Sequence, residues 1–247
     1  MKTYSGELPY VALENDVHQF FSKWIGKEPS EVKNIVIVGG CTGVEVPTYL
    51  TRYPNSKIYI VEPNPLFYGQ LYKSFIMTKR VIPFCCACSD KDGVVEFFET
   101  DVEGNGSLFQ IRDSQYNLAK VKNTHSYKVI TKCIQDLLPP EEEIDLMQVD
   151  VQGAELLVLQ GADLLKISSM YLEAQSKKTW DKKTDKSIYH GQCFLEDLEE
   201  FLKGQFMLHS VAFDYNNDTG NSFWVKESLK DVESKLDYVD EWILNSK

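Results

Sequence analysis

Gly39, Gly40 and Gly43 close an apolar run, NIVIVGG, and open a segment with helical spacing. Glycines at such a turn remove the Cβ and let the backbone approach a ligand. The helix that follows presents free N–H groups to an anion. Glu62, 19 residues past Gly43, has the spacing of a carboxylate that accepts both hydroxyls of a ribose. Cys86, Ala87 and Ser89 end a third β-like run, Asp150 ends a fourth, and Glu173 falls in a fifth. Together these residues point to an adenosine-bearing ligand. The spacing G-G-x-x-G lacks the last glycine of the dinucleotide fingerprint, and no G-x-x-x-x-G-K-[ST] occurs. S-adenosylmethionine (SAM) needs a loop that passes its methionine moiety, an acid for its ribose and a polar group near its amino end. Gly39 to Gly43, Glu62 and Asp150 fit those three needs.

The elements that must position these residues follow from periodicity. Tyr10, Leu13, Val17, Phe20, Phe21 and Trp24 recur at helical spacing over 10–25. Strands are predicted over 34–40, 57–62 and 80–89, with helices over 44–53 and 65–78 between them. That alternation means right-handed crossovers and a parallel sheet with helices on both faces. In such a sheet ligands bind beyond the carboxyl ends of the strands, where the residues above fall. The rhythm then changes. GVVEFFET (93–100) is β-like, and the section from VEGNGS (102–107) to about 126 has the character of a functional loop or lid. YKVITKC (127–133) reads as a short strand, EIDLMQVDVQG (143–153) as a fourth central strand, and SSMYLEAQ (168–175) as a fifth. Helices are expected over 154–165 and 194–203. Strands over 205–213 and 221–226, joined through NNDTG, have to be antiparallel.

The 247 residues suit a single domain, with a helical extension over 1–30, a core over 31–226 and a closing helix over 227–247. That last helix carries Leu229, Val232, Leu236, Val239 and Ile243 on one face, for its own domain or a second copy in a homo-oligomer. A net charge of −11 repels phosphate backbones and anionic lipid, so neither nucleic acid nor a membrane is an expected partner. No run approaches the ~18 apolar residues of a membrane span, and the opening MKTYSGELPY lacks the apolar region of a signal peptide. Six cysteines without a C-x-x-C pair fit reduced thiols in a cytoplasmic protein. No carboxylate or histidine cluster has metal spacing, so no metal is expected. SKKTWDKKTDK (176–186) runs against the acidic trend and would suit an anionic, for example nucleotide-linked, sugar.

The segments IVIVGGCTG, IYIVEPNP, CCACSDKDGVVEF, GNGSLF, EIDLMQVDVQGAELLVLQGA and MYLEAQ resemble the FkbM family of SAM-dependent methyltransferases over roughly 34–226. The D-V-x-G-A-E stretch followed by L-x-G-A is the most specific part. The resemblance implies a class I (Rossmann-like) SAM-dependent methyltransferase fold: α/β, with a mainly parallel seven-stranded sheet, a C-terminal antiparallel hairpin strand and helices on both faces. It implies O-methylation of a hydroxyl on a sugar, glycan or polyketide-like small metabolite. Gly39, Gly40 and Gly43 would line the methionine portion, Glu62 the ribose with Pro63 and Asn64 in its turn, and Cys86, Ala87 and Ser89 the adenine. Asp150 would sit near the methionine end or the transferred methyl.

Asp150 and His190 are the expected bases, with His125 and Glu173 as further candidates. Ser107, His125, Glu173, Lys182 and Tyr189 are expected on the acceptor side, and Trp180, Trp224 and Tyr189 are rings able to stack on a sugar. Glu155 opens a helix, where the dipole favours an acid. Two departures from the family stand out. Ile37 replaces an acid two residues before the first glycine, which predicts a lost contact to the cofactor's amino end. Gln148 and Gln152 replace a lysine and a glutamate, which predicts a neutral pair in place of opposite charges. A SAM-binding module impaired in catalysis and, from another class, an NAD-type oxidoreductase are the alternatives.

Overall fold

A computed structural model describes residues 27–112, 121–177, 187–213 and 219–229. The expected helix over 10–25, the closing helix beyond residue 229, and residues Trp180 and Lys182 lie outside them. The described elements are, in order, β1 (Asn34–Val38), α1 (Val46–Arg52), β2 (Lys57–Val61), α2 (Pro65–Phe75), β3 (Val81–Phe84), β4 (Ala87–Cys88), β5 (Gly93–Thr100), β6 (Asn123–Lys132), β7 (Ile144–Val149), α3 (Glu155–Gln160), β8 (Ile167–Gln175), α4 (Leu195–Leu202), β9 (Phe206–Phe213) and β10 (Thr219–Lys226).

The central strands dictate the layers. In β1, Ile35 and Ile37 point to one side and Val36 and Val38 to the other, all buried. β2 alternates likewise, Ile58 and Ile60 against Tyr59 and Val61. Strands apolar on both faces need cover on both. Val46, Tyr49 and Leu71 of α1 and α2 cover the first side, and Val158, Leu159, Leu195, Leu198 and Leu202 of α3 and α4 the second.

The seven-stranded sheet has the order β3-β2-β1-β7-β8-β10-β9. β1 pairs in parallel with both β2 and β7, so strand order reverses beside it. Such a reversal opens a crevice at the carboxyl ends of the strands. β10 is antiparallel to β8 and β9 and lies between them, so the expected hairpin closes the sheet with β9, not the last strand, at its edge. Within the core, Trp224 is buried and donates to Ser222 Oγ, which takes it out of any sugar-stacking role.

Three boundaries differ from the periodicity. The expected strand 80–89 is two strands. β3 ends at Phe84, Cys85 is exposed, and β4 joins a separate sheet of order β4-β6-β5. Pro83 lies on β3, the edge of the main sheet, where a missing N–H is tolerated. β6 starts four residues before the expected 127, at Asn123, because the polar His125 and Ser126 still pair with β5 on an exposed surface, and Asn123 pairs with Thr100 past a bulge at Thr124. The helix after β7 stops at Gln160 rather than 165, because Gly161 touches the neighbouring backbone. A Cβ there would lie 2.0 Å from the Ser89 carbonyl oxygen. Among the described residues no helix is long and apolar enough to cross a membrane.

Gly161 therefore fixes how the end of α3 meets the chain leaving β4. Gly161→Ala has to push a main-chain carbonyl aside, and overpacking of this kind costs about 3 kcal/mol. Urea unfolding of the variant should show a lower midpoint at an unchanged slope; an unaltered midpoint would show that this approach is not rigid.

Candidate functional site

The crevice beside β1 is a cleft whose walls include Gly39, Cys41, Glu62, Pro63, Asn64, Cys86, Ala87 and Asp150. At Gly39 the backbone has φ +85, and a Cβ would lie 1.7 Å from the Asp150 carbonyl oxygen. The ends of β1 and β7 thus touch through their main chains, and only glycine allows it. Gly40 and Gly43 do not line the cleft. Their absent Cβ atoms make room for Ile60, at 2.3 Å, and Leu71, at 2.5 Å. They let β2 and α2 pack beneath the turn.

Glu62 ends β2 and is 5% exposed. Its Oε2 accepts from the Cys41 N–H at 2.8 Å and its Oε1 from the Asn64 N–H at 2.7 Å. Each oxygen keeps a lone pair, so the carboxylate can still accept two hydroxyls. Burial pushes this carboxyl up to about 7, its two backbone donors pull against the rise, and nearby Glu99 adds to it. Asn64 caps α2, accepting from Leu66 N, while its Nδ2 donates to Glu99 at 2.7 Å. Glu99 also accepts from the Tyr127 hydroxyl and lines the cleft. Sequence reasoning missed it, although strict alternation in GVVEFFET places Glu99 on the face of Phe97, which lines the same cleft. Ser89 lies outside: its Oγ donates to Asp90 at 3.0 Å, and Cys88 lines the cleft instead.

Beyond Asp150 stands a second group of acids. Gln152 Nε2 donates to Asp150 Oδ1 and to Glu173 Oε2, and its Oε1 accepts from the Tyr189 hydroxyl at 2.9 Å. Glu155 turns back on the same loop, accepting from Val151 N and Gly153 N at 3.1 Å each. Burial pushes Glu155 up to about 7, and burial followed by Asp150 and Glu155 pushes Glu173 well above the carboxylate range. The helix-start acid is thus a clasp on the 151–153 turn as well as a partner for the dipole.

Two loops roof this group. Ser107 Oγ donates to the Gln152 carbonyl at 2.8 Å, and Tyr189 reaches the Asn105 carbonyl at 3.2 Å. Ile111 bridges Tyr189, and His190 N donates to the Gln110 carbonyl. Gly104, Gly106 and Leu108 of the first loop wall the cleft. The structure therefore brings Asp150, Glu173, Ser107 and Tyr189 together. His190 is exposed on the roof, and His125 is exposed on β6, 3.0 Å from Thr124 Oγ1 and stacked on Tyr127. Among the described residues Asp92, Cys133 and Asp136 gather side chains that could ligate a metal, but Asp92 is paired with Lys132 and with Cys133 N.

The departures resolve into separate contacts. Ile37 is buried, and it stands beside Gln148 in the parallel register. Gln148 accepts from the Tyr49 hydroxyl at 2.5 Å, away from Gln152. The two glutamines are not a pair, and Ile37 is packed in the α1–α2 core rather than turned toward the cleft.

A model of the methyltransferase FkbM domain matches residues 38–206. The chain belongs to the FkbM methyltransferase family. Among curated relatives it is 28% identical over 144 residues to Methyltransferase 1 of Beauveria bassiana (strain ARSEF 2860), covering 52% of this chain and 58% of that protein. It is 25% identical over 180 residues to 2-O-methyltransferase NoeI of Sinorhizobium fredii (strain NBRC 101917 / NGR234), covering 68% and 70%. Among solved structures, Aeropyrum pernix fibrillarin with S-adenosyl-L-methionine overlays with a TM-score of 0.47 at 12% identity, over 85% of this chain and 74% of that one.

The cofactor that this family implies is SAM, and the cleft of this FkbM chain fits it. A buried carboxylate with a spare lone pair on each oxygen suits the ribose hydroxyls, and the Gly39 turn, packed on the Asp150 main chain, forms the wall of the cleft beside it. Ribose hydroxyls donate to the ionised form of Glu62. Because this carboxyl stays protonated up to about 7, affinity should rise as pH climbs through that value. Calorimetric titration with S-adenosylhomocysteine should show that rise in the wild type, a flat response in Glu62→Gln, and roughly tenfold or greater weakening in Glu62→Ala. Equal affinity in all three proteins would remove Glu62 from the cofactor site.

Proposed function

We propose that this protein is a SAM-dependent O-methyltransferase acting on a hydroxyl of an uncharged sugar or glycan. The observation that carries the reading is Asp150, a carboxylate at the end of the fourth central strand, lining the cleft with an oxygen held by Gln152. Bound there, SAM supplies a methyl group already activated by its sulfonium. The chain then has to align the acceptor, exclude water and remove one proton. Alignment contributes up to about 7–11 kcal/mol in well-organised cases. A sugar hydroxyl is a weak nucleophile, and a base in hydrogen-bonding reach adds ~10²–10⁴-fold. Asp150 is that base, and the roof made by the Ser107 and Tyr189 contacts keeps water out.

The charge of the site supports an uncharged acceptor over a nucleotide-linked one. Glu62, Glu99 and Asp150 all line the cleft, and a phosphate would meet their field. In the Lys-rich stretch, the described Lys177 is spent on Asp197 and on the face of Phe194. NoeI, which this chain resembles over 180 residues, is a 2-O-methyltransferase by name. One feature favours a second reading, a small metabolite with an apolar part. A second cavity of about 210 Å³ lies against the 153–157 segment, with Phe109, Ala154, Leu156 and Leu157 in its walls.

Methyl-labelled SAM offered with neutral glycans, nucleotide sugars and apolar hydroxyl compounds separates these readings. The expected result is a methyl ether on a neutral glycan; label in none of them would sink the O-transfer reading. Asp150→Asn should cut turnover ~10²–10⁴-fold with S-adenosylhomocysteine affinity preserved. His190→Ala is the companion variant, and a loss of that size there instead would move the base to the exposed histidine.

A further inference from the structure

Asp150 does not act on its own in this structure. One Gln152 amide hydrogen goes to Asp150 Oδ1, at 2.7 Å, and the other to Glu173 Oε2, at 3.0 Å. The two carboxyls thus flank one amide nitrogen. Of the two, Asp150 lines the cleft and Glu173 stands behind it on β8. Two carboxyl groups this close do not both ionise readily; they share a proton.

Gln152 holds the arrangement in one sense only. The Tyr189 hydroxyl donates to its Oε1, so its nitrogen faces the two carboxyls. Reversed, the amide would set its oxygen against the ionised carboxyl, an acceptor, and lose both N–H bonds. The backbone at Gln152 has φ +57, a left-handed conformation that non-glycine residues adopt at a cost. That turn aims the side chain back at Asp150 and Glu173. A glutamate in its place would bring a third carboxylate in place of the amide donor. The chain thus carries an amide where two carboxyls need a shared, uncharged clamp.

We propose that Glu173 is the proton-sharing partner of Asp150, a positioning residue clamped by Gln152 that holds one proton against it. The proposal rests on Asp150 being the base of an O-methyl transfer. In that step the hydroxyl oxygen bonds to the methyl carbon, and the carbon–sulfur bond breaks with its electron pair going to sulfur. The O–H bond breaks, its pair stays on the ether oxygen, and the proton passes to Asp150. The pair goes from singly to doubly protonated and returns one proton to solvent before the next turnover. Glu173 keeps Asp150 from facing a second full negative charge and fixes which of its oxygens is free.

The groups facing the pair are Glu155 at the start of α3, the Tyr189 phenol in the roof and Asn221, the β10 neighbour of Glu173. Cys193 acts only through Glu155, whose Oε2 its thiol contacts at 3.4 Å. Among the described residues these include no cation.

The test compares wild type, Glu173→Gln, Asp150→Asn and the double variant. Glu173→Gln should lower kcat at least tenfold with KM for SAM and S-adenosylhomocysteine affinity within twofold. The double variant should be no slower than Asp150→Asn, as groups acting as one unit require. Full turnover in Glu173→Gln, losses that multiply, or loss of S-adenosylhomocysteine binding would each overturn the pairing. One arm needs no acceptor. Carbon-13 NMR of labelled Glu carboxyls should show Glu173 titrating above the ordinary carboxylate range in the wild type and lower in Asp150→Asn. An unchanged Glu173 titration in Asp150→Asn overturns the pairing even if an acceptor is methylated. A changed titration with no hydroxyl methylated by wild type leaves the pair standing and sinks the O-transfer reading.

Discussion

Main chain meets main chain where β1 and β7 end, and the site follows from that contact. Gly39 passes so close to the Asp150 carbonyl that no side chain fits. Two parallel strands whose ends touch must send their chains apart at once, one into the turn toward α1 and the other into the 151–153 turn. The first turn places the Cys41 N–H on Glu62; the second brings Gln152 and Glu155 back onto the acid group. Cofactor carboxylate and proposed base are therefore positioned by the same backbone approach. A larger residue at 39 would move both together.

The departures from the family pattern make sense only in register. From sequence, Ile37 looks like a lost cofactor contact and Gln148 with Gln152 like a neutralised pair. In the sheet, Ile37 and Gln148 are the neighbours. An acid and a lysine there would face each other in a core with Tyr49 and Leu146. Removing one charge from a buried pair is costly, whereas removing both is close to neutral when the remaining polar atom finds a partner. Tyr49 supplies that partner. The substitution of Ile37 therefore belongs to the core and leaves the cleft intact.

Legibility followed sequence distance. The strand–turn–helix rhythm over 34–84 and the position of Glu62 could be read because local periodicity and a fixed spacing determine them. The split at Cys85 could not, since β4 is held by β6, more than forty residues on, and nothing local marks the change of sheet. For the same reason Ser89 was expected on the cleft. It follows the end of β4 and its hydroxyl turns to Asp90, while Cys86, Ala87 and Cys88 line the cleft. Glu99 was missed because its importance comes from Asn64 and Tyr127, brought to it by folding. Asp150 and Glu173 were each legible as acids at strand ends. Their coupling was not, because it runs through Gln152, which looked like a loss of charge.

The acidity of the chain takes on a local meaning at this edge of the sheet. A net charge of −11 was read as a reason against nucleic acid and a membrane as partners. Much of its consequence is concentrated where Glu62, Glu99, Asp150, Glu155 and Glu173 crowd the carboxyl ends of the strands. Burying that many carboxyls is affordable only if some stay protonated or are tied to backbone N–H groups, and both occur: Glu62 and Glu155 are each held by two backbone donors, while burial raises Glu62, Glu155 and Glu173. A sulfonium ion is among the few ligands such a field favours, and its conversion to a neutral thioether removes that attraction when the methyl has gone. On the proposed reaction, the carboxylates that stay ionised draw in the charged donor and lose that attraction once the methyl has gone.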